Sequence, residues 1–277
     1  MCIRDSSYPN PHRHEIEQEN LKMHMDGNFA LLNLLTSKTR AKDMNEQMRN
    51  VFRLAFLFER RGAYYRCPLG MSLSGTPLNE ALICLHQILP QFRKENGLQK
   101  VQCVVLTDGE SQSMRFNREL QRDWEENTYM GSSYLNDNCY IRNRKTGYVY
   151  GLKNMGYYGD ATDVFLEDLR QSFPETNFIG IRLMPNGWAS SFIQKYTDDT
   201  CEYEKSLNHW RKHKSISLKT SGYHVYFGLS STSLGNDTEF EVKEDATKAQ
   251  IKKAFNKSLK NKKMNKKILG EFIELVA

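Results

Sequence analysis

Between Asp43 and Arg61 the run DMNEQMRNVFRLAFLFERR places Met44, Met48, Val51, Phe52, Ala55 and Phe58 three and four residues apart, the spacing of one helix face. Asp43 is a candidate N-cap and Gly62 a stop, so the pattern predicts an amphipathic helix over 43–61. A second helix is predicted over 77–92, within TPLNEALICLHQILPQF. Thr76 caps it, Pro77 occupies the first turn where a missing N–H is harmless, and Glu80 lies close to a capping-box position. Pro90 is expected to end or kink this helix, because it removes a hydrogen bond and crowds the preceding turn.

The period then changes. KVQCVVLTD is a continuous β-rich run bounded by Gly97 and Gly109, the pattern of a strand buried on both faces of a parallel sheet. Two further units share the same plan. DATDVFLEDLRQSF predicts a helix leading into the strand NFIGIRLM, and SSFIQKYTDDTCEYEKSLNHWRKH is largely helical before the strand YHVYFGLS. Helices are predicted again from Asp245 through Lys260 and from Met264 to Val276. Between Ser111 and Tyr158 the pattern lapses, and CYIRNRKTGYVYGL reads as a β-hairpin turning at Lys145, Thr146 and Gly147, an insertion in the domain. There is no repeat, heptad or low-complexity tract. The organisation is one α/β domain of three helix–strand units with a decorated loop over 111–158 and a helical, lysine-rich tail over 245–277.

Composition alters this picture only at the margins. An apolar content of 39% with 11% aromatics is ample for a packed core. The net charge of +6 owes much to nine lysines between Lys248 and Lys267, so no general polyanion-binding surface is implied. Six cysteines (Cys2, Cys67, Cys84, Cys103, Cys139, Cys201) form no C-x-x-C pair, and Cys84 and Cys103 sit in apolar runs, which suits a reducing cytoplasm. No apolar run is long enough to span a bilayer. The opening MCIRDSS shares no pattern with the rest of the chain and reads as a translated adaptor scar at 1–7, which sets it apart from the fold over 8–277 and implies that an N-terminal part is missing.

The chemistry gathers at Thr107, Asp108, Gly109, Glu110 and Ser111, where the apolar strand stops in a cluster of oxygens. Ligands of open α/β sheets collect outside the carboxyl ends of strands. Thirty-two residues upstream of Asp108, MSLSGTPLNEAL puts Thr76 at the start of the helix feeding that strand.

This pairing of a GTPL-x-EAL helix start with a strand ending LTDG resembles the von Willebrand factor A domain and its metal-ion-dependent adhesion site. More narrowly, FALLNLLTSK, GTPLNEAL, LPQF and LTDGE are similar to a von Willebrand A protein of tailed phages, related to the CobT-type subunit of cobaltochelatase. The resemblance covers roughly residues 28 to 277, and only the Thr76 and Asp108 motifs are specific. It implies a Rossmann-like three-layer fold and a magnesium or other divalent cation held by Thr76 and Asp108. Ser74, Gly75, Gly109, Glu110 and Ser111 would support the metal or face the partner. The family's Asp-x-Ser-x-Ser motif occurs nowhere in this chain and belongs upstream of Asn28. The resemblance therefore implies an incomplete fold without its first, central strand and only weak metal binding by the two remaining ligands.

The function implied by this resemblance is that of a metal-dependent adaptor, a bacteriophage protein of the host cytoplasm that works beside an AAA+ ATPase or another protein supplying an acidic ligand. The 111–158 insertion would contribute selectivity. No membrane partner is implied. Alternatives are a non-catalytic subunit of a cobalt or magnesium chelatase, and a nucleic-acid-binding accessory protein. The last would use Arg142, Arg144, Lys145 and Lys153 among the hairpin's aromatics, although a hairpin kept soluble by its charges is the plainer reading. Catalysis within the chain has no support, since no nucleophile elbow or partner pattern is present. His209 and His213 have helical zinc spacing, but Arg211, Lys212 and Lys214 repel a cation there.

Overall fold

The structure is a computed structural model that describes residues 2–3, 18–25, 29–59, 75–124, 126–153, 161–197, 199–219 and 222–234. Ser74, the 245–276 helices and most of the 1–7 stretch lie outside the described residues. The chain opens with three two-residue strands, β1 (Cys2–Ile3), β2 (Met23–His24) and β3 (Ala30–Leu31), of which β1 and β3 form a short antiparallel ladder. Helices α1 (Ala41–Glu59) and α2 (Leu78–Asn96) come next, then strands β4 (Val101–Thr107), β5 (Arg115–Leu120), β6 (Tyr129–Tyr134), β7 (Tyr140–Arg142) and β8 (Val149–Gly151). The rest is α3 (Thr162–Ser172), β9 (Thr176–Met184), α4 (Ala189–Lys195), α5 (Thr200–His213), β10 (Ser215–Leu218) and β11 (Val225–Ser230). The chain is mixed α/β and divides into two compact units, one of residues 1–92 with 110–169 and the other of 93–109 with 170–277.

The second unit holds the parallel sheet. Its order is β10-β11-β9-β4, with β4, β9 and β11 parallel and β10 antiparallel to β11. The apolar run of β9 and β11 makes the core, where Ile179, Val225 and Phe227 cluster and Ile181 packs against them. Gly180 is there because a Cβ would drive into the Tyr226 ring, 2.5 Å away, and that of Tyr223 at 2.8 Å. Phe192 of α4 meets Tyr196 and Tyr226 edge to face at centroid distances of 5.4 and 5.2 Å, a geometry that aromatic quadrupoles favour. Asp199 caps α5 by accepting the N–H groups of Cys201 and Glu202, and Lys214 closes it in the left-handed conformation.

Two expectations for this unit need correcting. Strand β4 is parallel as predicted, yet it is not buried on both faces. Among the described residues it pairs with β9 alone, at the sheet's edge, and Val104 and Leu106 are 46% and 65% exposed. An apolar run reports burial potential and cannot say whether a neighbour is present to cover it. Strand β10 escaped the sequence reading because SISL is too short to show a period.

In the first unit, α1 forms as its spacing predicts, with Met48, Phe52 and Phe56 of its apolar stripe exposed. Helix α2 does not end at Pro90 but continues to Asn96, with Pro90 itself exposed. Gly97 at φ +60 then closes it, as the Leu98 N–H bonds the Arg93 carbonyl. The stretch with no clear period supplies β5 and β6, which join β2 in a three-stranded antiparallel sheet that the sequence did not announce. The hairpin is present as read. Strands β7 and β8 pair Tyr140 with Gly151, Ile141 with Tyr150 and Arg142 with Val149.

Candidate functional site

The helix start in the first unit is built around Gly75, Thr76 and Ser111. Gly75 has φ +73, and a Cβ there would collide with the Gln112 side-chain amide, so both backbone and space demand glycine. The Thr76 carbonyl accepts N–H groups from Leu78 (2.8 Å) and Gln112 (3.1 Å), which binds the 110–114 segment to the entry of α2. The side-chain cap is not Thr76. The buried Ser111 hydroxyl accepts the Asn79 N–H at 3.3 Å and donates to the Gln112 carbonyl at 3.2 Å. Asn79, fully buried, accepts the Thr162 hydroxyl at 2.7 Å and so joins the first turns of α2 and α3. Ser111→Ala should therefore lower stability by about 1 kcal/mol in denaturant unfolding, the ordinary cost of losing a cap, while Thr76→Ala should change it little.

Asp108 lies in the other unit, exposed just beyond the last residue of β4. The Thr107 hydroxyl there accepts the Gly109 N–H at 3.1 Å and donates to the Gly109 carbonyl at 2.7 Å, folding the strand end into a tight turn. Gly75, Thr76, Glu110 and Ser111 thus belong to one unit, and Asp108 and Gly109 to the second. Magnesium requires near-octahedral oxygens at about 2.1 Å. The Ser111 oxygen is committed to the helix cap. Among the described residues, no three His, Cys, Asp or Glu side chains come together as a metal would need. The His209 and His213 rings on α5 stand 4.4 Å apart between centroids, tilted at 36°, and among the described residues no third metal-ligating side chain joins them.

A different cluster was not legible in the sequence. Asp168 of α3, 8% exposed, receives four hydrogen bonds within the first unit. The Tyr150 hydroxyl donates to its Oδ1 at 3.0 Å, and the Asn143 amide donates to both carboxylate oxygens at 2.9 Å. His86 of α2 places Nε2 3.0 Å from Oδ2. Burial alone would raise the Asp168 pKa, but the hydrogen bonds from His86, Asn143 and Tyr150, with the charge of His86, outweigh it and hold the carboxyl below its ordinary range. The Tyr150 phenol is pushed upward by burial first and by its bond to Asp168 second. Both oxygens are saturated, so this carboxylate positions its neighbours and has no lone pair directed at a substrate.

Asn143 shows what is being positioned. Its Oδ1 accepts the N–H groups of Lys145 (2.9 Å) and Thr146 (3.3 Å), making the turn, while its Nδ2 grips Asp168. That division fixes the amide's orientation, since a flipped amide would set oxygen against carboxylate. The Asn143 N–H bonds the Tyr148 carbonyl at 2.9 Å, the Gly147 N–H bonds the Asn143 carbonyl at 2.8 Å, and Gly147 has φ +79. One asparagine both shapes the hairpin turn and ties the hairpin to α2 and α3.

Burial pushes the Cys103 thiol up to about 11 and also raises Cys84, which keeps both protonated and unreactive. Comparisons with protein-family models, with curated proteins and with solved structures give no match. Among the described residues no helix is long and apolar enough to cross a membrane.

Proposed function

We propose that this chain is a protein-docking module of the von Willebrand A type, an adaptor that receives its partner along the open edge of β4 and at the exposed Asp108 beyond it. The observation that carries this reading is β4 itself. It is seven uncharged residues in a parallel sheet that, among the described residues, pairs with β9 alone, with Val104 and Leu106 exposed and a carboxylate just past its carboxyl end. Natural proteins protect such edges with charge, proline or a cover, and β4 contains neither a charge nor a proline. An added strand supplies main-chain hydrogen bonds, and the two exposed side chains supply contact area.

The resemblance names the partner class as an AAA+ ATPase. A divalent cation can join that docking only with ligands beyond Thr76 and Asp108, so metal dependence is the finer part of the reading and is tested separately. Pull-downs of the tagged chain from host cells are compared with and without EDTA, and with Asp108→Ala and Leu106→Lys variants. Loss of the ATPase with Leu106→Lys supports edge docking, and its additional loss in EDTA and with Asp108→Ala supports the cation. Equal retention in all four conditions, or no ATPase in any, overturns the reading.

A further inference from the structure

We propose that the outward face of the β7–β8 hairpin binds single-stranded nucleic acid, through stacking on Tyr140 and Tyr148 and phosphate contacts from Arg142, Arg144 and Lys145. This surface is separate from the β4 edge and does not depend on the docking reading.

The hairpin has two unlike faces. Ile141 and Tyr150, paired across the ribbon, turn inward, and Tyr150 is buried against Asp168. Tyr140, Arg142 and Val149 turn the other way, since register places Tyr140 opposite Gly151 and Arg142 opposite Val149. Tyr140 is 73% exposed. Its ring lies across the bare backbone of Gly151, where a Cβ would stand 3.4 Å from a ring carbon. One face of the ring is thus held by the ribbon and the other is open. Tyr148, at the turn, is 50% exposed.

Charge points the same way. Every charged side chain from Tyr140 to Lys153 is a cation, namely Arg142, Arg144, Lys145 and Lys153, and all four are exposed. Among the described residues, Arg142, Arg144 and Lys145 make no ion pair, and the nearest acid on α3, Asp168, is buried and already saturated. Upstream, two cation–aromatic pairs lie on β6, Arg115 of β5 over Tyr134 at 4.2 Å and Arg122 just beyond β5 over Tyr129 at 4.9 Å. Tyr134 precedes Tyr140 by six residues, a reach of about 20 Å at most, so the two groups of rings can serve one strand.

An acidic peptide would satisfy the cations but leave the exposed rings unused. Flat, open aromatic faces interleaved with unpaired cations match bases and phosphates together. The anchoring by Asn143 and Asp168 adds preorganisation, because the ribbon is held before any ligand arrives.

The test is fluorescence anisotropy on the full chain with a labelled oligothymidylate of about 15 nucleotides, a duplex of the same length and a polyglutamate peptide. The single strand should bind more tightly than either, with affinity falling between about 50 and 200 mM salt. Tyr140→Ala and Tyr148→Ala should each weaken it about 5- to 100-fold, whereas Tyr140→Phe keeps the ring and the affinity. Arg142→Ala and Lys145→Ala should each reduce the slope of log affinity against log salt by about 0.7. No binding at low salt, equal binding of duplex or polyglutamate, or undiminished affinity in Tyr140→Ala would each overturn the proposal. In the last case the lysines over 248–267 become the place to look.

Discussion

Asp168→Ala should destabilise the chain by about 3 kcal/mol, the order expected when a buried carboxylate is removed and its hydrogen-bonding partners stay behind. The donors left without an acceptor would be the Asn143 amide, the Tyr150 hydroxyl and His86, brought together from α2, the hairpin and α3. Denaturant unfolding gives the magnitude. Amide hydrogen exchange gives the location, with protection lost first over residues 140–151. Asp168→Asn should cost less, because one carbonyl oxygen still accepts, but its NH2 group must face other donors. The acid dependence comes from the direction of the shift. A carboxyl held below its ordinary value binds fewer protons folded than unfolded. Its contribution is complete above about pH 4 and is lost as the pH falls through the lower, folded value. The gap between wild type and Asp168→Asn should therefore narrow only under strong acid. His224 acts at milder pH. Burial first and the Arg170 charge second lower its pKa, so its contribution is complete above the ordinary value near 6.5 and is lost as the pH drops through the folded value.

Local rules carried the reading of this chain as far as local causes reach. The apolar spacing of α1, the proline start of α2, the β-rich runs of β9 and β11 and the KTG turn of the hairpin all depend on residues within one or two turns of each other. The Asp168 cluster does not. Its members are 86, 143, 150 and 168, and each alone has an ordinary explanation: a histidine on a helix, an asparagine before a turn, a tyrosine in a strand and an acid on an amphipathic face. The one available hint was Asn143, a residue type whose side chain commonly makes the turn just after it. The strands β5 and β6 were hidden because RFNREL and YMGSSY mix polar and apolar residues without a clean period of two. Pro90 misled for a related reason. Its missing N–H frees only the carbonyl of residue 86, and the buried Leu82 and Leu89 anchor the helix directly before it.

The candidate site shows the same limit in another form. Thr76 was expected to cap α2 and Ser111 does so instead, because a cap supplied by a residue thirty-two positions away leaves no trace in the helix's own sequence. Glycine at 75 was the better guide. Its positive φ and the close Gln112 side chain explain why the GTPL entry is what it is without invoking a metal. At the other end of the likeness, the turn beyond β4 is made by Thr107 and Gly109, which leaves Asp108 exposed.

Leu106→Lys should convert β4 from an adhesive edge to an inert one. In the native chain, concentration-dependent association is expected in sedimentation velocity, because an uncharged seven-residue edge with exposed Val104 and Leu106 is a template for another strand. A lysine at 106 places a charge in the path of any incoming strand while its stem still covers part of the sheet. Leu106 is 65% exposed, so the substitution costs the monomer within about 0.5 kcal/mol, as surface changes usually do. Association should fall at least about tenfold, the effect of roughly 1.4 kcal/mol lost at the contact. Phe227→Ala is the contrasting variant. It removes a ring 1% exposed from the cluster with Ile179 and Val225, and the cavity should cost about 3 to 5 kcal/mol without relieving the edge. Loss of stability and loss of adhesion would thus separate onto two strands of one sheet, interior β11 and edge β4. If Leu106→Lys associates as the native chain does, the edge of β4 is not where this protein meets others.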